Sequence, residues 1–285
     1  MLTYPEVPVI ILLLVSLAYA MFDVFNRRNV PNTFVYATVI LGFIVAIAFN
    51  YNVLTTMFGI VAVVAVFGWI LYKSGLLGGG DVMEFIFISL VFPIQNIPYV
   101  TSLPQFNFPF IISVLIASGY AALIYIPIYY IAVKRNCKPS KPNGKDVRSG
   151  LLILASYIIF IFFIYLTFGL RIDGIILIVL LAGASALTVI YEKDVYRGMV
   201  EFIYPKMLEE GDMIATNMMS NTQKKRFEGI RSFGRLATGK LINDTKNIKI
   251  KIPVYRDSVP FALFIFIGVV ISLVLGNLIL FIIGV

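Results

Sequence analysis

The sequence predicts an all-α, polytopic transmembrane helical bundle of about eight helices, within a range of six to eight, carrying a small cytoplasmic region. Three observations predict it. Of the 285 residues, 60% are hydrophobic and only 13% charged, against about 25% charged in soluble domains. The mean hydropathy is +0.93, and the apolar residues form long unbroken runs, as bilayer-spanning helices require. The basic residues are segregated to one side of the chain's alternating path.

The apolar segments are 7–22, 33–50, 53–72, 82–100, 109–133, 151–170, 175–191 and 259–285. Most reach the ~17–25 residues that a spanning helix needs. The first is short, so its C-terminal end is expected close to an interface. The fourth contains Pro93 and Pro98, which weakens it as a continuous helix. The first segment lacks a basic stretch ahead of it and is followed by Arg27 and Arg28. That is the reverse of a cleaved signal, so it reads as a retained helix.

With the N-terminus outside and the spans alternating, the inner segments are 23–32, 73–81, 134–150 and 192–258. Of the 23 basic residues, only Arg171 then falls outside. This bias fixes the expected orientation and supports the span count. It also accounts for the net charge of +8. Membrane lipid is therefore the expected neighbour, with attraction to anionic headgroups a secondary effect, and nucleic acid is not an expected partner.

The expected organisation is a bundle over 1–191, a polar and basic region over 192–258, and a last helix over 259–285. Within the polar region, Val195 to Leu208 has apolar residues at helical spacing and predicts a short amphipathic helix. The stretch 217–239 is polar and is expected to be mobile. The run KNIKIKIPV at 246–254 predicts a short strand or extended linker.

There is no histidine and a single cysteine, Cys137. An internal disulfide framework and a multi-cysteine zinc site are excluded, as is the commonest general base. No metal and no cofactor are expected. Cys137 sits in a basic loop without an orienting base and reads as a bystander.

Two carboxylates stand at ends of spans. Asp23 closes the first and opens DVFNRRNVPN; Asp81 follows the third, in Gly78-Gly79-Gly80-Asp81. Two spans separate them, so both emerge on the same side. Two close carboxylates resist double ionisation and share one proton, so one serves as base and the other as acid. That suffices for peptide hydrolysis without metal, histidine or activated serine. Gly78 and Gly80 offer room for a substrate backbone to approach. An aspartate after glycines is also an ordinary helix cap. Glu84, three residues beyond Asp81, shares its helical face, as a possible helper or as a boundary glutamate.

Gly78-Gly79-Gly80-Asp81 resembles the Gly-x-Gly-Asp motif of membrane aspartic peptidases. Asp23, followed by Arg27 or Arg28 and then Val30-Pro31-Asn32, resembles the pattern after the first helix of prepilin peptidases. The resemblance covers residues 10–90 and extends to the archaeal preflagellin/prepilin peptidases, whose polar region before a last helix is similar to 192–285. It implies an aspartic endopeptidase with Asp23 and Asp81 as catalytic pair and Arg27 and Arg28 as possible helpers. It also implies multi-pass residence in the cell membrane, and partners that are archaellin or type IV pilin-like precursors with class III-type signal peptides, cut at the cytoplasmic face. Many relatives carry Lys two residues after the second Asp; here Met83 stands there. The single cysteine departs from bacterial relatives with Cys-rich, methylating domains. The hairpin 151–191 is additional to the usual archaeal helix count. The alternatives are an ion- or proton-coupled transporter or channel, for which charges deep in several spans would be needed, and a presenilin-like intramembrane protease.

Overall fold

The fold follows from where apolar helices must stop. The computed structural model describes residues 6–26, 30–74, 77–94, 109–133, 142–169, 172–227, 234–255 and 260–283. Its membrane helices are α1 (Glu6–Phe25), α2 (Asn32–Phe49), α3 (Leu54–Lys73), α4 (Gly79–Val91), α5 (Phe110–Ile128), α6 (Gly144–Phe168) and α7 (Ile172–Ile190). After a polar unit come α11 (Phe261–Leu275) and α12 (Leu278–Ile283), numbered to leave room for the three short helices between. Six helices are long and apolar enough to cross a membrane: α1, α2, α3 with the 3₁₀ turn before it, α5, α6 and α7.

Two expected spans are shorter than the sequence suggests. The fourth is α4, only 13 residues long. It stops because Pro93 disfavours helical backbone in the residue before it, and Phe92 has left the helix with ψ 74°. The Asn50 side chain, at the end of α2, donates to the freed carbonyls of Leu90 and Val91 at 3.4 and 3.0 Å. The last segment is broken at Gly276, whose φ of 76° ends α11. Asn277 then starts α12 by accepting the Ile279 N–H at 2.9 Å.

α4 is the hub. It packs against α2 and α3, and also against α1, α5 and α11. Its residues from Phe87 to Val91 are all buried. The main core joins Leu12 of α1, Val45 of α2, Phe87 and Ile88 of α4, Phe110 and Val114 of α5, and Ile265 and Val269 of α11. Close approach is permitted by small residues, as is general for helices in lipid. A Cβ on Gly68 of α3 would lie 2.5 Å from Val82, and one on Gly268 of α11 would lie 2.8 Å from the Ser118 nitrogen of α5. Helix α6 packs mainly on α7, which in turn packs on α5. Tyr120 of α5 donates to the Leu177 carbonyl of α7.

The polar unit follows α7. It contains α8 (Glu192–Met199), β1 (Glu201–Ile203), α9 (Asn221–Phe227), α10 (Gly239–Thr245) and β2 (Ile252–Val254). The amphipathic helix expected through Leu208 stops at Met199, because the chain turns into β1. That strand pairs antiparallel with β2, Phe202 opposite Pro253. The expected strand is found at the end of the KNIKIKIPV run only. The stretch expected to be mobile instead supplies Met219, Phe227 and Ala237 to a small core with Ile203, Ile214, Leu241, Ile252 and Val254. A few widely spaced apolar residues are enough to build it, and they were outweighed in the sequence by the charges around them.

Candidate active site

Asp23 lies in the last turn of α1, on the helix face that also carries Ser16, Tyr19 and Ala20, all buried. That spacing of three and four residues is one stripe of an α-helix. Asp23 is 8% exposed. Its Oδ2 accepts the backbone N–H of Ala262, in the first turn of α11, at 3.0 Å. The first N–H groups of a helix lack partners within it and favour an anion.

Asp81 occupies the third position of α4. Its Oδ2 accepts the Gly78 N–H at 3.1 Å, the carboxylate half of a capping box. Each of the two carboxylates is thus held at a helix N-terminus: Asp81 at that of its own helix, Asp23 at that of α11. Asp81 is only partly buried, whereas Asp23 is buried.

The two sequence motifs meet. A Cβ on Gly80 would lie 3.3 Å from the Val30 side chain, so the space left by this glycine is filled by the valine of Val30-Pro31-Asn32. Gly78 keeps the loop close to the Asp81 carboxylate, 3.0 Å from where its own Cβ would be. Behind them, Tyr19, Val35 and Ala262 form a buried cluster with Val30, Phe34 and Met83 packed on it. Met83 is therefore an apolar filler between α1, α2 and α11. The Tyr19 hydroxyl lies 2.8 Å from Thr38 Oγ1. Thr38 itself donates to the Val35 carbonyl at 2.8 Å, so the tyrosine is the donor that ties α1 to α2.

Glu84 is fully buried one turn into α4, and neither of its oxygens makes a hydrogen bond. Ser16 faces it from α1 without closing a hydrogen bond to it, and the charges of Asp81 and Asp23 both act on it. The site thus gathers Asp23, Asp81 and Glu84 at one end of the α1–α4–α11 core. Among the described residues no group of three His, Cys, Asp or Glu is placed to hold a metal ion. Arg27, Arg28 and Cys137 lie outside the described residues. The contribution missed by sequence reasoning is the Ala262 N–H. No side chain signals it, and 239 positions separate it from Asp23.

Two carboxylates in this setting can do general acid–base chemistry on a bond brought between them, with water as nucleophile. Residues 10–129, which include α1 to α5, match the model of the type IV leader peptidase family. No curated protein and no solved structure matches the chain.

Proposed function

We propose, from the match of residues 10–129 to the model of the type IV leader peptidase family, that the chain is an aspartic-type leader peptidase and that Asp23 and Asp81 are its catalytic pair. One carboxylate takes a proton from the attacking water while the other protonates the leaving amine, so the pair ends with as many protons as it began. Their like charges favour the singly protonated state that this exchange needs.

The observation that carries the reading is the meeting of the two motifs, Val30 against Gly80, with Asp81 next to that glycine and Asp23 in the last turn of α1. The proposed orientation has the N-terminus outside and the site at the cytoplasmic rim, from the segregation of basic residues. The proposed substrates are archaellin or type IV pilin-like precursors: a short basic leader remains inside while the following apolar helix remains in the membrane, which leaves the scissile bond at the level of the site.

The test uses full-length protein in detergent and a precursor with a basic leader and apolar helix. Asp23→Asn and Asp81→Asn keep side-chain size and are expected to elute and melt like the parent while processing falls to background. Processing at the parental rate by either variant overturns the pair.

A further inference from the structure

The polar unit carries an apolar face that its own core does not use. Burial alternates from Phe202 to Lys206, as side chains do along an extended chain. Ile203 and Pro205 turn inward and are buried. Phe202 and Tyr204 turn outward, 50% and 39% exposed, and Met207 just beyond them is 51% exposed. The outward face of a strand in a half-solvated sheet is ordinarily polar; here it is two aromatic rings. Two lysines frame them. Lys206 is exposed on the same face, and Lys251 Nζ sits 5.5 Å from the centre of the Tyr204 ring. Glu201, the acidic residue of β1, alternates to the other face.

We propose that this face is a docking surface for the bilayer's anionic headgroup region: Phe202, Tyr204 and Met207 enter the membrane–water interface, and Lys206 and Lys251 meet lipid phosphates. Clustered exposed apolar side chains mark surfaces that meet a membrane or a partner. Aromatic rings settle at headgroup level, and lysine stems lie along apolar surface while the ammonium reaches outward.

The chain holds this surface near the membrane. α8 follows α7 after a single residue, Tyr191. It packs on α7 and on the turn Tyr129–Val133 that ends α5, with Gly198 against Tyr130. β1 begins two residues after α8, and its first residue, Glu201, is paired with Val254. Val254 stands seven residues before Phe261, where α11 begins, about 25 Å at full extension. Both strands are thus tied at one end to helices of the bundle. Charge favours lipid as the occupant. Residues 192–258 hold 13 basic and nine acidic residues, so the unit as a whole is drawn to an anionic surface. The basic leader of the proposed precursors would be repelled by Lys206 and Lys251.

The test uses the full chain. Trp69 is its only tryptophan, so Trp69→Phe removes the background and Phe202→Trp or Tyr204→Trp then places one reporter on the face. The variants are reconstituted in nanodiscs of phosphatidylcholine and phosphatidylglycerol, with plain or brominated acyl chains. Quenching by bromine from the lipid is compared with quenching by acrylamide from water. Docking is expected to give strong bromine quenching and weak acrylamide quenching. Lys206→Gln or Lys251→Gln, added to the reporter chain, is expected to lower the ratio of docked to undocked chains about fivefold, the weight of one basic residue near an anionic surface. A reporter open to acrylamide and untouched by bromine overturns the proposal. A reporter shielded from both overturns it too and assigns the face to protein, which is a second copy where the chain elutes as a dimer. Bromine quenching that is equal without phosphatidylglycerol, and unmoved by both lysine variants, overturns the role of the headgroup charge. If Phe202→Trp does not fold, Tyr204→Trp decides by the same outcomes.

Discussion

Gly68→Ala is the perturbation whose effect is most directly worked from the geometry. The added Cβ would sit 2.5 Å from Val82 Cγ1, with Val82 Cβ and Cγ2 both at 3.4 Å. Carbon atoms at rest keep about 3.5–4.0 Å, so about 1 Å must be found. Val82 cannot turn away easily, because β-branched residues in helices hold one χ1 rotamer and its second methyl already touches the same spot. The strain therefore separates α3 from the first turn of α4. Overpacking of this kind is destabilising by about 1–3 kcal/mol, offset in part by the 0.5–1 kcal/mol or so that alanine gains over glycine in a helix. Val82 follows Asp81 directly, so the displacement is transmitted to the carboxylate. A misplacement of about 1 Å lowers rates by about a hundredfold. The assay pairs thermal unfolding in detergent with precursor cleavage for Gly68→Ala, Val82→Ala and the double variant. Relief of the defect in the double variant, beyond additivity, is expected for residues in contact. Gly59→Ala is the control: it lies on the same helix with nothing within 4 Å of its added Cβ. A parental rate in Gly68→Ala, or strict additivity with Val82→Ala, refutes the reasoning.

The other predictions rest on single contacts. Ala262→Pro removes the N–H that Asp23 accepts, in a first turn where proline is tolerated; a hydrogen bond to a charged group is worth about 1.5–3 kcal/mol, so cleavage is expected to fall about 10- to 100-fold. Ala262→Gly keeps the N–H and is expected to retain most activity, and equal rates for the two variants would show the bond to be idle. Gly268→Ala sets a Cβ 2.8 Å from the Ser118 nitrogen and the Val114 carbonyl of α5. Backbone cannot rotate aside, so the melting temperature is expected to fall, whereas Gly119→Ala, open on all sides, is expected to leave it unchanged or raise it.

Much of this was legible in the residues, and the failures have physical causes. Helix existence was legible because a bilayer demands length and apolarity, and six of the expected spans are long enough. Helix ends were less so. Pro93 and Gly276 both stop a helix inside a run that reads as continuous, since hydropathy records composition and not backbone geometry. The polar unit was underestimated for the opposite reason: its core is nine residues drawn from separate short elements, too sparse to show a period. In the site, spacing carried topology. An aspartate at the end of one span and another two spans later must emerge on one side. What spacing could not carry was packing, and so the role of Gly80 was read as open room when Val30 fills it.

The contact of Ala262 with Asp23 shows where that limit lies. The matched family segment ends at residue 129, yet one of its two aspartates is held by a helix that begins at Phe261. β2 ends at Val254, close before that helix in the chain, and is paired to β1 after α8. The Ala262 contact leaves no trace in side-chain chemistry, because any residue but proline supplies the same donor. A proposed site divided in this way can be recognised from its carboxylates, but its full extent is visible only once the chain is folded.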